Sequence, residues 1–165
     1  MEEDKEKMKW QAKEIDLYLQ AKEYVDTAII PLVPISWGNE LKSTVQMGEF
    51  ITLISDELER QFKGRVFQFP PYTYLKTEKV EERLSKINSF DEHLKENGFS
   101  HIIYLTSDIE WKQIEGEMKD TLLWIPSIPL EHMEHKYKLE TLSNQIKQML
   151  PIMTSKWQKA KVEDN

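Results

Sequence analysis

The chain has no cysteine. Disulfides, thiolate nucleophiles and cysteine-ligated zinc are excluded together, and the redox compartment is left open. Glycine is scarce: Gly38, Gly48, Gly64, Gly98 and Gly116 are the only five, and no two are close enough to cradle a phosphate. Gly-x-Gly-x-x-Gly and Walker loops need clustered glycines so that backbone amides can approach phosphate, so neither nucleotide fold is expected. No apolar run approaches the roughly 18 residues of a membrane span. Basic residues are a minority, 22 Lys and Arg against 29 Asp and Glu for a formal net charge of −7, which argues against a nucleic-acid partner. The first residues are charged and lack the apolar core of a signal peptide, so a cytoplasmic location is the expectation. A Gly-x-Ser-x-Gly nucleophile elbow is also missing.

What is present is globular. The 165 residues are 39% hydrophobic, enough to bury a single core. The most informative stretch is Thr27-Ala-Ile-Ile-Pro-Leu-Val-Pro-Ile-Ser-Trp-Gly38, an apolar run that ends abruptly in polar residues. Such a run is how a strand buried on both faces reads, as in a parallel sheet covered by helices. Three further strands are expected at 65–69, 100–105 and 121–125, with Tyr72 and Tyr74 beginning a loop after Pro70-Pro71.

Helices are expected between and around these strands. The first, 12–24, buries Ala12, Ile15 and Leu19; the second follows a Ser43-Thr44 cap and stops at Gly64. The third, 78–97, carries Val80, Leu84, Ile87, Leu94 and either Phe90 or, on the strict helical step, Asp91; Asn97-Gly98 stops it. A short helix spans 109–118. A final helix spans 131–149 with Leu139, Leu142, Ile146 and Met149 buried, and Pro151 ends or kinks it. Strand–helix alternation of this kind predicts α/β architecture: three α/β/α layers, about four parallel strands and the flavodoxin-like order 2-1-3-4. Residues 1–165 read as one domain, with 1–9 a charged flexible N-terminus, Met8 an alternative start, and 151–165 a helix end or tail.

Open parallel sheets hold ligands beyond the carboxyl ends of their strands. The expected exits offer Ser36, Trp37, Asn39 and Glu40; Tyr72 and Tyr74; Thr106, Ser107 and Asp108; and Ser127. This set can hydrogen-bond a small polar ligand while an aromatic stacks on it. Equally, Asp108 can cap the next helix and the aromatics can cover the core. His132 and His135 are the one close histidine pair, and helical spacing would let both reach a metal. The pattern is neither His-Glu-x-x-His nor His-x-x-Glu-His, and a solvated first turn explains it as well. His93 and His101 read as structural. Trp10, Trp111 and Trp157 lie in polar segments, where tryptophan either anchors an interface or folds onto the core edge. Lys156-Trp-Gln-Lys-Ala-Lys161 is a short basic tail.

The wording Glu23-Tyr-Val-Asp-Thr-Ala-Ile-Ile-Pro-Leu-Val-Pro-Ile-Ser36 resembles a family of small uncharacterised proteins from Bacillus-type Firmicutes, catalogued as a domain of unknown function, DUF2487. The resemblance covers the chain from about Met8 to the final helix, and implies a gene neighbourhood shared with a menaquinol–cytochrome c reductase. A more distant resemblance is to the creatininase-like amidohydrolases, carried by Glu96-Asn-Gly-Phe-Ser-His-Ile-Ile-Tyr104 and the proline-containing first-strand exit. Those enzymes take metal ligands from that exit and from a His-Gly-Gly-Asn motif. Here Ile35-Ser-Trp-Gly-Asn-Glu-Leu41 has no histidine and Thr106-Ser-Asp-Ile-Glu110 replaces the motif, so no ligand transfers. The expectation is a non-catalytic domain acting through a protein partner, linked through the family to a respiratory complex, with no cofactor and an open oligomeric state. The alternative is a small-molecule-binding or metal-dependent hydrolase built on Glu40, Asp108, His132 and His135.

Overall fold

The computed structural model describes residues 7–163, with side chains through 159. The chain divides into two compact units, Met1–Pro129 and Leu130–Asn165. The first contains α1 (Ala12–Ala21), β1 (Thr27–Ile35), α2 (Leu41–Gln61), β2 (Val66–Gln68), β3 (Tyr72–Leu75), α3 (Val80–Glu96), β4 (His101–Thr106), a 3₁₀ segment (Ile109–Glu117) and β5 (Thr121–Trp124). The five strands form a parallel sheet ordered β2-β1-β4-β5, with β3 also paired to β1. This is the expected three-layer α/β/α arrangement and strand order. One face of the sheet meets α2, which comes so close that a Cβ on Gly48 would lie 2.9 Å from Val33 Cγ1. The other face, through Ala28, Ile30 and Leu32, joins a core with Ile87 and Leu94 of α3 and half-buried Ile15 and Tyr18 of α1. Gly64 and Gly98, past the ends of α2 and α3, have φ of +87° and +102°, the left-handed stop that favours glycine.

The segment expected as a loop at Tyr72 is a fifth strand. Ile29 lies opposite Gln68 and Leu32 opposite Tyr72, so three steps of β1 face four of its neighbour. β2 and β3 are thus one interrupted edge strand with an extra residue at Pro70-Pro71. This break also explains how a central strand tolerates Pro31, since prolines normally belong to edges. The Thr27 N–H and the carbonyls of Ile29 and Ile35 bond toward the β2–β3 side, so odd-numbered residues of β1 face that side and even-numbered ones face β4. Pro31 turns its missing donor to the Pro70-Pro71 interruption. Pro34 turns its own to the β4 side, beyond the last paired residues Pro31 and Leu105.

Helix faces depart from expectation at two places. On α1, Ala12 and Leu19 are exposed and the buried residue is Glu14, because its carboxylate turns inward to accept the Lys9 N–H at 2.7 Å. On α3 the strict helical step prevails: Arg83, Ile87, Asp91 and Leu94 are buried while Phe90 is exposed. α2 starts at Leu41 without a side-chain cap from Ser43 or Thr44, since Ser43 Oγ bonds back to the Glu40 carbonyl and Thr44 is buried.

Before α1, Met8 is buried and its carbonyl accepts the Gln68 N–H at 2.8 Å, with Lys9 forming a parallel bridge to Gln68. The buried Glu59 carboxylate accepts the Met8 N–H at 2.8 Å. Residues 1–6 of the expected flexible N-terminus lie outside the described residues.

The second unit is α4 (His135–Glu163) preceded by a turn. Of the two outcomes expected at Pro151, an end or a kink, the end does not occur: α4 continues to Glu163. Pro151 is exposed inside the helix, where water can take the Lys147 carbonyl that it leaves without an N–H. Leu142, Ile146, Met149 and Met153 are buried; Leu139 is not.

Candidate functional site

At the carboxyl ends of β3 and β4 the structure gathers Tyr74, Thr106 and Asp108 from the expected set. Asp108 is 1% exposed and nearly saturated. It accepts from Tyr74 Oη at 2.7 Å, Lys76 Nζ at 3.3 Å and the Glu110 backbone N–H at 3.0 Å, and its own N–H bonds Thr106 Oγ1. Burial, reinforced by the Asp108 carboxylate, pushes the Tyr74 phenol far above its ordinary range. Sequence reading missed the cations that complete this cluster. Arg83, also 1% exposed, pairs with Glu110 at 2.8 Å, donates to the carbonyls of Lys76 and Glu78, and lies 4.6 Å over the Tyr74 ring. Lys76 bridges Asp108 and Glu110. Trp111, which the sequence left as either an interface anchor or a residue folded onto the core edge, is completely buried edge-on to Tyr74 at 5.1 Å. The signal was Arg83 itself, a charge at helical spacing from Ile87 and Leu94 on the inward face of α3.

Chemically this cluster is a strut: Asp108 caps the 3₁₀ segment, and its tyrosine and lysine donors are side chains of the same cluster. The other expected residues do not join it. Ser36 Oγ shares a 2.7 Å hydrogen bond with Thr44 Oγ1; Asn39, Glu40 and Trp37 are exposed; Ser107 is buried and Ser127 half-buried. His132 lies in the turn before α4 and His135 opens the helix, so the helical spacing assumed for a metal pair is absent. Among the described residues no three His, Asp or Glu side chains converge as a metal ion requires.

A concavity lies elsewhere, on the α1–α3 face of the sheet. It is a cavity of about 700 Å³. Ile30 and Phe67 floor it, α1 and α3 wall it, and Pro70 and Pro71 also line it. Its aromatic lining is mutually packed: Trp10 stacks on Phe69 at 5.7 Å, and Tyr18 and Phe99 stand edge-on to Phe67 and Phe69 at 5.2 and 5.3 Å. Trp10 is 62% and Leu19 60% exposed at its rim. Of the residues expected at strand exits only Tyr72 contributes; His93 of α3 also lines it. Periodicity could not reveal this void, since it marks which residues face inward and not whether facing elements meet.

No helix of the described residues is long and apolar enough to cross a membrane. No solved structure matches the chain. The uncharacterized protein YpiF of Bacillus subtilis (strain 168) is 37% identical over 150 residues, which cover 91% of this chain and 98% of that protein. With residues 16–157 matching the model of the protein family of unknown function DUF2487, the chain belongs to that family.

Proposed function

We propose that this protein is a non-catalytic binding domain that holds an apolar small molecule in the aromatic cavity between α1 and α3. The observation that carries this reading is the cavity itself, about 700 Å³ and walled by Trp10, Tyr18, Phe67, Phe69, Phe90 and Phe99. Small-molecule sites occupy roughly 300–1,000 Å³, are mostly apolar and use few polar groups. At the strand ends the acid–base groups are engaged with one another, which supports a structural role there. The test is titration with the neutral fluorophore N-phenyl-1-naphthylamine. Saturable 1:1 binding is expected, and Leu19→Trp, which places bulk at the exposed rim, should abolish it. Absence of binding to a folded protein rejects the reading.

A second reading, action through a protein partner, is favoured by Trp37. It is 84% exposed, and Ile35, Leu75 and Val45 are exposed on the elements around it. Large aromatics of this kind anchor interfaces. The gene neighbourhood implied by the family resemblance makes a respiratory subunit the partner to test first. A photo-crosslinker at position 37 should give a discrete adduct in cells that one at exposed Glu82 does not. The same adducts from both positions would sink this reading.

A further inference from the structure

The cavity carries a charge pattern unlike the rest of the molecule. The chain has 29 acidic and 22 basic residues, yet among the described residues no carboxylate lines the cavity. Besides the Tyr18 and Tyr72 phenols and the Trp10 indole N–H, its polar lining is Lys22, His93 and Asn97, and these three are exposed. Lys22 follows the last turn of α1 and His93 lies in the last turn of α3, so the donors come from opposite walls. The Asn97 amide donates to the His93 carbonyl at 2.8 Å and ties off the end of α3. A lysine and a histidine at helix C-termini complement the last carbonyls wherever they occur. That role does not require both to line one apolar cavity. A long lysine stem can lie along such a wall with its ammonium at the water boundary.

Resting on the reading of the cavity as a small-molecule site, we propose that its ligand is an amphiphilic monoanion: an apolar aromatic or acyl body buried against Phe67 and Phe69, with one acidic head group at the rim between Lys22 and His93. The apolar body supplies burial, and the head group stays partly hydrated while accepting charge-assisted hydrogen bonds. A neutral apolar compound would leave the two donors without a ligand partner.

A matched pair of probes separates body from head. 8-Anilinonaphthalene-1-sulfonate and N-phenyl-1-naphthylamine share one aromatic body and differ in the sulfonate. The sulfonate should bind about ten-fold more tightly, the worth of one charge-assisted hydrogen bond at a partly exposed site. Lys22→Met and His93→Leu should each lower that ratio about three-fold or more while leaving the neutral probe unchanged, and Lys22→Arg should retain it. Leu19→Trp should displace both probes. If the ratio is near one, or survives both substitutions, the head-group proposal falls while the cavity reading stands. If neither probe binds, both fall. A purely structural role for Lys22 and His93 would change stability without moving the ratio.

Discussion

At Asp91 a carboxylate is enclosed in the fold. It accepts from Tyr104 Oη at 3.0 Å, with Lys95 Nζ 3.5 Å away, and Lys95 also pairs with Asp120 at 2.9 Å. Burial raises the Asp91 pKa and the Asp120 carboxylate raises it further, against the pull of Tyr104 and Lys95. A carboxyl whose pKa is higher folded than unfolded holds its proton more tightly in the native state. Its stabilisation is complete below the unfolded value of about 4 and is lost as pH rises through the folded value. Asp91→Asn should therefore gain stability relative to the parent as pH rises from about 4 to about 7 in urea unfolding. Parallel pH profiles for the two proteins would contradict this account. The residue was legible in part: the strict helical step on α3 placed Asp91 inward, but its partners on β4 and before β5 are distant in sequence.

Among the elements, α2 and β1 make the closest approach. Gly48 lies where a methyl group would meet Val33 Cγ1 at 2.9 Å, and valine is stiff about its first side-chain torsion. Gly48→Ala should gain about 1 kcal/mol of helix propensity and lose about 1–3 kcal/mol to overpacking, for a net destabilisation. Val33→Ala should relieve the clash, so a double-mutant cycle by denaturant unfolding should give a favourable coupling; additive effects would show that the helix simply shifts. The glycine stop of α2 at Gly64 was readable from the sequence alone. β3 was not, because Pro70-Pro71 reads as a chain break and Tyr72–Leu75 is too short to announce itself. Only pairing with β1 makes it a strand.

On the scale of the molecule, the segment before α1 closes the outer edge of β2 and brings Trp10 to the cavity rim. Shortening the chain to begin at Gln11 removes the buried Met8 and the exposed Trp10, and leaves the buried Glu59 carboxylate without the Met8 N–H. Burial of one methionine and one unmet carboxylate together suggest a loss of about 3 kcal/mol. Thermal unfolding would detect it, and an unchanged midpoint would show that the segment is dispensable. By itself the sequence determined the layers and the parallel sheet, because hydrophobic period and turn residues act over a few neighbouring positions; the strand order was an expectation from the flavodoxin-like pattern that pairing bore out. The sequence also determined that thiolate chemistry is missing, because that depends on residue types alone. Only the tertiary structure decided that Arg83 and Lys76 saturate the strand-end carboxylates and that Pro31 faces a gap in its neighbour. It alone decided that α1 and α3 stand apart over an aromatic floor. Each of these is a relation between residues far apart in the chain, and distance in space is not written in local pattern.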